Sequence, residues 1–178
     1  MSWLDALRRA SRAGFVVVLT IALSACLRPL YGPTASGERL DTVLASIEVG
    51  GVAVETANER LAHYLRSELV FDLNGSGVPA PTRYRLATTY RQEVQSGVID
   101  TVTGRAPSAT IMGQVNYRLI ALDGREVATG VAIGHVSYDR SQQRFATVRA
   151  ARDAEIRLAK VLSEQIRTRL SAALIGGA

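Results

Sequence analysis

One cysteine, Cys26, occurs in 178 residues. A lone thiol closes no disulfide within its own chain, so the fold rests on burial and not on covalent staples. The two histidines, His63 and His135, have no partners at ligand spacing, and no paired-cysteine or His-Glu-x-x-His motif occurs. No metal and no other cofactor is therefore expected. Walker loops and Gly-x-Ser-x-Gly elbows are also missing. Gly75-Ser-Gly77-Val-Pro-Ala80 has the spacing of a dinucleotide loop, but it follows a helical pattern, and Pro79 and Pro81 oppose the helix that would have to come next. Lysine is nearly absent: apart from Lys160 every cationic side chain is arginine, which suits bidentate contact with phosphate or carboxylate. Finally, no apolar run reaches the ~20 residues that a membrane-spanning helix requires.

What is present begins with a basic head. Arg8, Arg9 and Arg12 stand against a single Asp5, and the run Gly14-Phe-Val-Val-Val-Leu-Thr-Ile-Ala-Leu23 follows. A basic start, a short apolar run and small residues before a break describe a secretory signal peptide. Arg28-Pro29 ends the run too early for a transmembrane span. Leu23-Ser24-Ala25-Cys26 resembles the bacterial lipobox, where the signal is cut just before a cysteine whose sulfur is lipidated. A catalytic thiol needs a nearby base and an activating environment, and neither histidine is tied to Cys26. Cys26 is therefore the expected lipid attachment point. One acyl chain anchors marginally, at ~0.8 kcal/mol per buried methylene, whereas two hold stably. Lipoproteins of this type carry more than one chain, and by the same resemblance Leu27, in place of an aspartate, points to the outer membrane.

The expected organisation is a signal peptide over residues 1–25, a lipidated tether over 26–42 rich in Pro, Gly and Ser, and one domain over 43–178. The 153 residues that remain after cleavage suffice for a real core. They carry 18 basic and 15 acidic side chains, about +3, so the pI of 9.9 for the whole chain overstates the basicity of the mature part.

Within the domain, residues 45–55 read as a strand, bulged or broken at Gly50-Gly51. Thr56-Ala-Asn-Glu59 reads as a capping box, and Leu61, Leu65, Leu69 and Leu73 mark one face of the helix that follows, ended by Asn74-Gly75. Three alternating strands come next, over residues 83–94, 108–122 and 126–138, the last two joined by an Asp123-Gly124 turn. Tyr84, Leu86, Thr88 and Tyr90 share one side of the first, and Arg85, Ala87, Thr89 and Arg91 the other. Val127, Val131 and Ile133 are expected on one side of the last. Residues 96–107 read as a loop. A long helix spans residues 142–175, its apolar stripe marked by Phe145, Val148, Ile156, Ala159, Leu162, Ile166, Leu170 and Leu174.

The order β-α-β-β-β-α predicts an α+β fold: a four-stranded, mainly antiparallel sheet with two helices packed on one face. The first two strands, joined through a helix, can be parallel. Nothing meets the nucleophile–base–orienter logic of an active site. Glu93 and Asp100 fit solvated strand and loop ends, while Arg149, Arg152 and Asp153 fit a solvated helix face. No enzymatic activity and no nucleic-acid partner are expected.

Cys26-Leu-Arg-Pro-Leu-Tyr-Gly32 resembles the start of the mature lipopolysaccharide-assembly lipoproteins of the LptE family, with Pro29, Leu30, Tyr31 and Gly32 carrying the match; the family's usual Gly-Phe after the cysteine is absent. Ile47-Glu-Val49, Val136-Ser-Tyr138 and Arg152-Asp153-Ala154 fall in the family's order. The resemblance implies a non-catalytic lipoprotein on the periplasmic side of the outer membrane. Its implied partner is the β-barrel that inserts lipopolysaccharide into the outer leaflet, which such lipoproteins help to assemble and partly fill. A plug in a wet lumen should present hydrogen-bonding groups, and Arg85, Thr89, Arg91, Thr110, Gln114, Asn116 and Arg118 supply them on the sheet's second face. Facing and charge single out Arg91 and Arg118 as candidates for contact with lipopolysaccharide or barrel; ordinary solvated surface is the other reading. An auxiliary lipoprotein of a lipid-transporting ABC system and a lipid-anchored periplasmic hydrolase are the alternatives.

Overall fold

The computed structural model describes Thr34 and residues 37–55, 59–75, 77, 80–97, 99, 101, 104 and 106–176. The signal segment, Cys26, Pro29–Gly32, Thr56 and Asp100 lie outside these residues. Seven elements follow in order: α1 (Leu40–Ala45), β1 (Ile47–Val54), α2 (Glu59–Leu73), β2 (Tyr84–Ser96), β3 (Ser108–Ala121), β4 (Glu126–Asp139) and α3 (Arg144–Gly176). The strands form one sheet in the order β1-β2-β3-β4. β1 and β2 run parallel, linked through α2, and the other two pairings are antiparallel. This is the expected α+β architecture with one helix more.

The extra helix, α1, occupies a stretch whose neighbours have linker composition. Leu40, Val43 and Leu44 lie on one helical face, and all three are buried. The segment leading into it is tied to the sheet. Gly37 takes a positive φ of 78°, the Thr34 hydroxyl donates to the Glu38 carbonyl at 3.0 Å, and Arg83 grips the Glu38 carboxylate with two bonds of 2.7 and 2.8 Å. Those bonds hold the Glu38 carboxyl below its usual value.

α2 buries Leu61, Leu65, Leu69 and Leu73, the four leucines at spacing four. Each contributes roughly 2 kcal/mol relative to exposure. α3 contributes Leu158, Leu162, Ile166 and Leu170, all fully buried. Its seat on the sheet is a pair of glycines: Gly113 and Gly134 face each other across β3 and β4. A Cβ on Gly113 would lie 3.1 Å from Leu158 and Leu162, and one on Gly134 3.0 Å from Leu158. Neither glycine has a positive φ; their role is to let the helix approach. Nearby, the Tyr117 ring lies across Gly130.

Polar groups pin the two helices together along their line of contact. Arg60 bonds the buried Glu155 carboxylate through Nε at 2.7 Å and Nη2 at 2.9 Å. Ser163 Oγ donates to Asp72 Oδ2 at 2.6 Å, and Arg152 Nε donates to the Tyr64 hydroxyl at 3.1 Å.

Two expectations are corrected. The buried part of the long helix's apolar stripe does not reach Phe145, Val148 and Ile156, which are 86%, 57% and 40% exposed. On β4, Val127 is buried while Val131 and Ile133 face solvent. The cause is a bulge. Leu119 pairs with Ala128 and Ile120 with Glu126, so Val127 is an extra residue, and the alternation changes phase after it. The bulge expected at Gly50-Gly51 is present, as a register shift between Val49 and Val52.

Candidate partner-facing surface

The helices cover one side of the sheet, and the register maps the other. One cross-strand row holds Ala87, Arg118 and Thr129; the next holds Ala53, Thr89, Asn116 and Val131; the next holds Arg91, Gln114 and Ile133; beyond it lie Glu93, Met112 and His135. Every member of these rows is exposed or half-buried. The polar second face read from the alternation of β2 and β3 is thus in place, and the β4 bulge adds Val131 and Ile133 to it.

Arg91 and Arg118 both point to this face and are both exposed. They are not adjacent. Arg118 stands opposite Ala87, four residues along β2 from Arg91, which sets their Cα atoms roughly 14 Å apart at ordinary strand spacings. Between them a groove of about 560 Å³ runs across the sheet, and Arg118 lines it while Arg91 does not. Gly51, Ala53 and Ala87 leave the hollow because they are short, and Asn116, Thr129 and Val131 flank it. The groove therefore offers one guanidinium, amide and hydroxyl groups and a strip of apolar surface. Its signal in the sequence is the small residues at the outward positions of β1 and β2, legible only once the bulge in β1 has set their facing. Arg85 lies on the same face, 3.6 Å from the exposed Glu48 carboxylate.

The other candidates stay apart. His63 is exposed on α2 with its ring against Tyr64, and His135 sits on β4. Glu93 is exposed at the end of β2. Among the described residues no group of three metal-binding side chains comes together. Arg152 binds Tyr64 and Asp153 binds Arg157 at 2.8 Å, so those helix residues serve structural contacts.

One edge of the sheet is closed by side chains. Arg140 N donates to Pro107 O, which puts the even-numbered residues of β4 in hydrogen-bonded pairs with β3. The odd-numbered carbonyls point away from the sheet. α3 supplies donors to them: Arg157 to Ser137 O at 3.5 Å, Gln165 to Ile133 O at 2.9 Å, and Arg169 to Val131 O. Four residues of helix advance ~6.0 Å and two residues of strand ~6.7 Å, so the repeats nearly match. An unpaired edge invites another strand, and α3 forestalls that on β4.

A sheet backed by helices, with one sealed edge and a bare polar face, is the build of a binding module. Comparison with known proteins agrees with that class. The profile of the LptE family, described as lipopolysaccharide-assembly, matches residues 44–170, well over half of the chain, and the chain belongs to that family. Among solved structures, a protein of Caulobacter crescentus CB15 assigned as a lipoprotein superposes with a TM-score of 0.60 at 25% identity, over 78% of this chain and 97% of its own. A minor lipoprotein of Acinetobacter baumannii gives 0.51 at 15% identity, over 71% of this chain and 90% of its own, a likeness of fold. No curated protein matches the sequence. Family membership gives the chain a lipopolysaccharide-assembly role. None of the described helices is long and apolar enough to cross a membrane.

Proposed function

We propose that this lipoprotein is held at the periplasmic face of the outer membrane through acyl chains on Cys26, after loss of residues 1–25. The residues after Cys26 act as its tether, and its working domain takes in the segment from Glu38 that Arg83 holds to the sheet and the buried Leu40 of α1. In this reading the domain assists assembly of the β-barrel that inserts lipopolysaccharide into the outer leaflet, and occupies part of its lumen. The observation that carries the proposal is the bare sheet face. It presents Thr89, Arg91, Gln114, Asn116, Arg118 and Thr129 to solvent, and a barrel lumen is lined by polar groups and water. Arg91 and Arg118 are assigned to contact with barrel or lipopolysaccharide. Of the two, Arg118 has the better-shaped surroundings, because it borders the groove.

Affinity purification of the full chain from detergent-solubilised outer membranes tests this. A large barrel protein should co-purify, and depletion of the chain should lower surface lipopolysaccharide. Mass spectrometry of the mature chain should show an amino-terminal Cys26 that carries acyl chains. Recovery of the wild-type chain alone would retire the barrel partnership, and an intact leader or an unmodified Cys26 would retire the anchor.

A further inference from the structure

α3 outruns α2. Their contact line on α3 follows Ser163, bound to Asp72; Glu155, bound to Arg60; and Arg152, bound to Tyr64. The same helical stripe, continued by steps of three and four residues, arrives at Val148 and Phe145. The described part of α2 starts at Glu59, and its first turn reaches α3 through Arg60 and Glu155. The last two turns of the stripe are exposed, Val148 at 57% and Phe145 at 86%. The sheet beneath shows the same gap. Ile111 and Val136 are buried, yet Val94, which pairs with Ile111 on the helix side of β2, is 47% exposed. Arg140, just before α3, donates to Ser96 Oγ at the end of β2 at 3.2 Å, so the overhang of α3, with Val148 and Phe145, and the exposed end of β2, with Val94, form a step on the helix side of the sheet. Arg144 and Arg149 flank it, both exposed, and among the described residues no salt bridge engages either.

We infer that this step docks an acidic segment of the barrel partner, which packs against the exposed stripe of α3. The inference rests on the barrel reading above and names a place on the chain for it. Three observations select the occupant. The step continues an existing helix–helix interface, so it is shaped for polypeptide. It is an angle between a sheet and a helix, which a protruding segment fills and a flat lipid surface does not. Its rim is cationic, and opposite charge is what complementary interfaces supply. Apolar centres ringed by arginine are common at such contacts.

The test places a photocrosslinking amino acid at Val148 and, separately, at Asn116 on the bare face, in the full lipidated chain in intact cells. The expected result is a barrel adduct from both positions, with the Val148 adduct mapping to a peptide that contains Asp or Glu. An adduct from Asn116 with none from Val148 overturns the docking step and leaves the barrel reading standing. No adduct from either position removes the barrel reading itself. A Val148 adduct confined to lipid assigns the step to the membrane and refutes the inference, as does an adduct on a barrel peptide free of acidic residues. Arg144→Glu combined with Arg149→Glu should lower barrel recovery about tenfold with an unchanged melting temperature, since both side chains are exposed. Full recovery would refute the assigned charge.

Discussion

The glycine seat beneath α3 yields a sharp prediction. Gly113→Ala places a methyl carbon 3.1 Å from a methyl of Leu158, 3.1 Å from one of Leu162 and 3.2 Å from the Tyr90 ring. Leu158, Leu162 and Tyr90 are fully buried, so none has open space to move into. Overpacking of this kind costs ~1–3 kcal/mol. Alanine recovers ~0.5 kcal/mol in return, because glycine loses more backbone freedom on folding. The net expected loss is ~1–2 kcal/mol, which lowers the melting temperature of a domain of this size by roughly 4–8 °C. Gly134→Ala, 3.0 Å from Leu158, should behave alike, whereas Gly51→Ala, with no atom within 4 Å, should melt within a degree or so of the parent. Thermal unfolding of a chain that starts after Cys26 measures all three. The mechanism is separable from a general loss of stability by a cycle with Leu158→Ala. That change alone costs ~2–5 kcal/mol and removes the atom that Gly113→Ala strikes, so the pair should be less damaging than the sum by ~1 kcal/mol. Strict additivity, or a Gly113→Ala domain as stable as the parent, would refute the claim that α3 is seated on the glycines.

Three further outcomes follow from other contacts. Arg60→Ala should destabilise by ~1–2 kcal/mol in chemical denaturation, below the usual cost of breaking a buried pair because Arg60 is itself 54% exposed, while Arg39→Ala, whose pair with Asp41 is fully solvated, should change little. Tyr90 has its phenol pKa raised well above the ordinary 10, chiefly by burial. The unfolded chain then releases that proton at a lower pH than the folded one, so stability is fully present below pH 10 and falls as pH rises beyond it. Tyr90→Phe should reduce the loss above about pH 10 in a denaturation series, and an unchanged alkaline slope would contradict the burial argument. Gln165→Ala with Arg169→Ala strips donors from the carbonyls of Ile133 and Val131. Concentration-dependent association should appear by size-exclusion chromatography at nearly unchanged melting temperature, and a strictly monomeric variant would show that α3 does not guard this edge.

The leucine ladder of α2 and the alternation of β2 and β3 are legible because each depends only on local period. Val127, Val131 and Ile133 look equivalent at period two, yet one residue inserted opposite the Leu119–Ile120 step reverses the facing of everything after it. Nothing local announces that insertion: the residues around it, Glu126 to Thr129, read as an ordinary strand. In α3 the periodicity of Phe145 and Val148 is genuine, but whether a stripe is covered depends on where α2 begins, and that is a fact about another segment. The same holds for Arg60 and Glu155, 95 residues apart. α1 left a readable trace in Leu40, Val43 and Leu44, masked by the Pro, Gly and Ser residues that precede it. For the surface, Arg91 and Arg118 were readable as outward-facing, whereas the groove beside Arg118 needed three strands in register.

The placement of polar and apolar groups also constrains the shape of whatever binds here. α2 and α3 occupy the helix side of the sheet, α3 side chains close the β4 edge, and the open surfaces among the described residues include the bare face and the step at Val94, Val148 and Phe145. Those two lie on opposite sides of the same sheet, since Asn116 and Val148 are separated by its backbone layer. A planar partner reaches one or the other. A partner that encloses the domain reaches both at once, and the groove near Arg118 with the cationic step then become two contacts with a single wall. Crosslinks from Asn116 and Val148 to one polypeptide therefore demand a concave partner. Crosslinks to two different proteins would point to a bridging module, held between them by the two faces of one sheet.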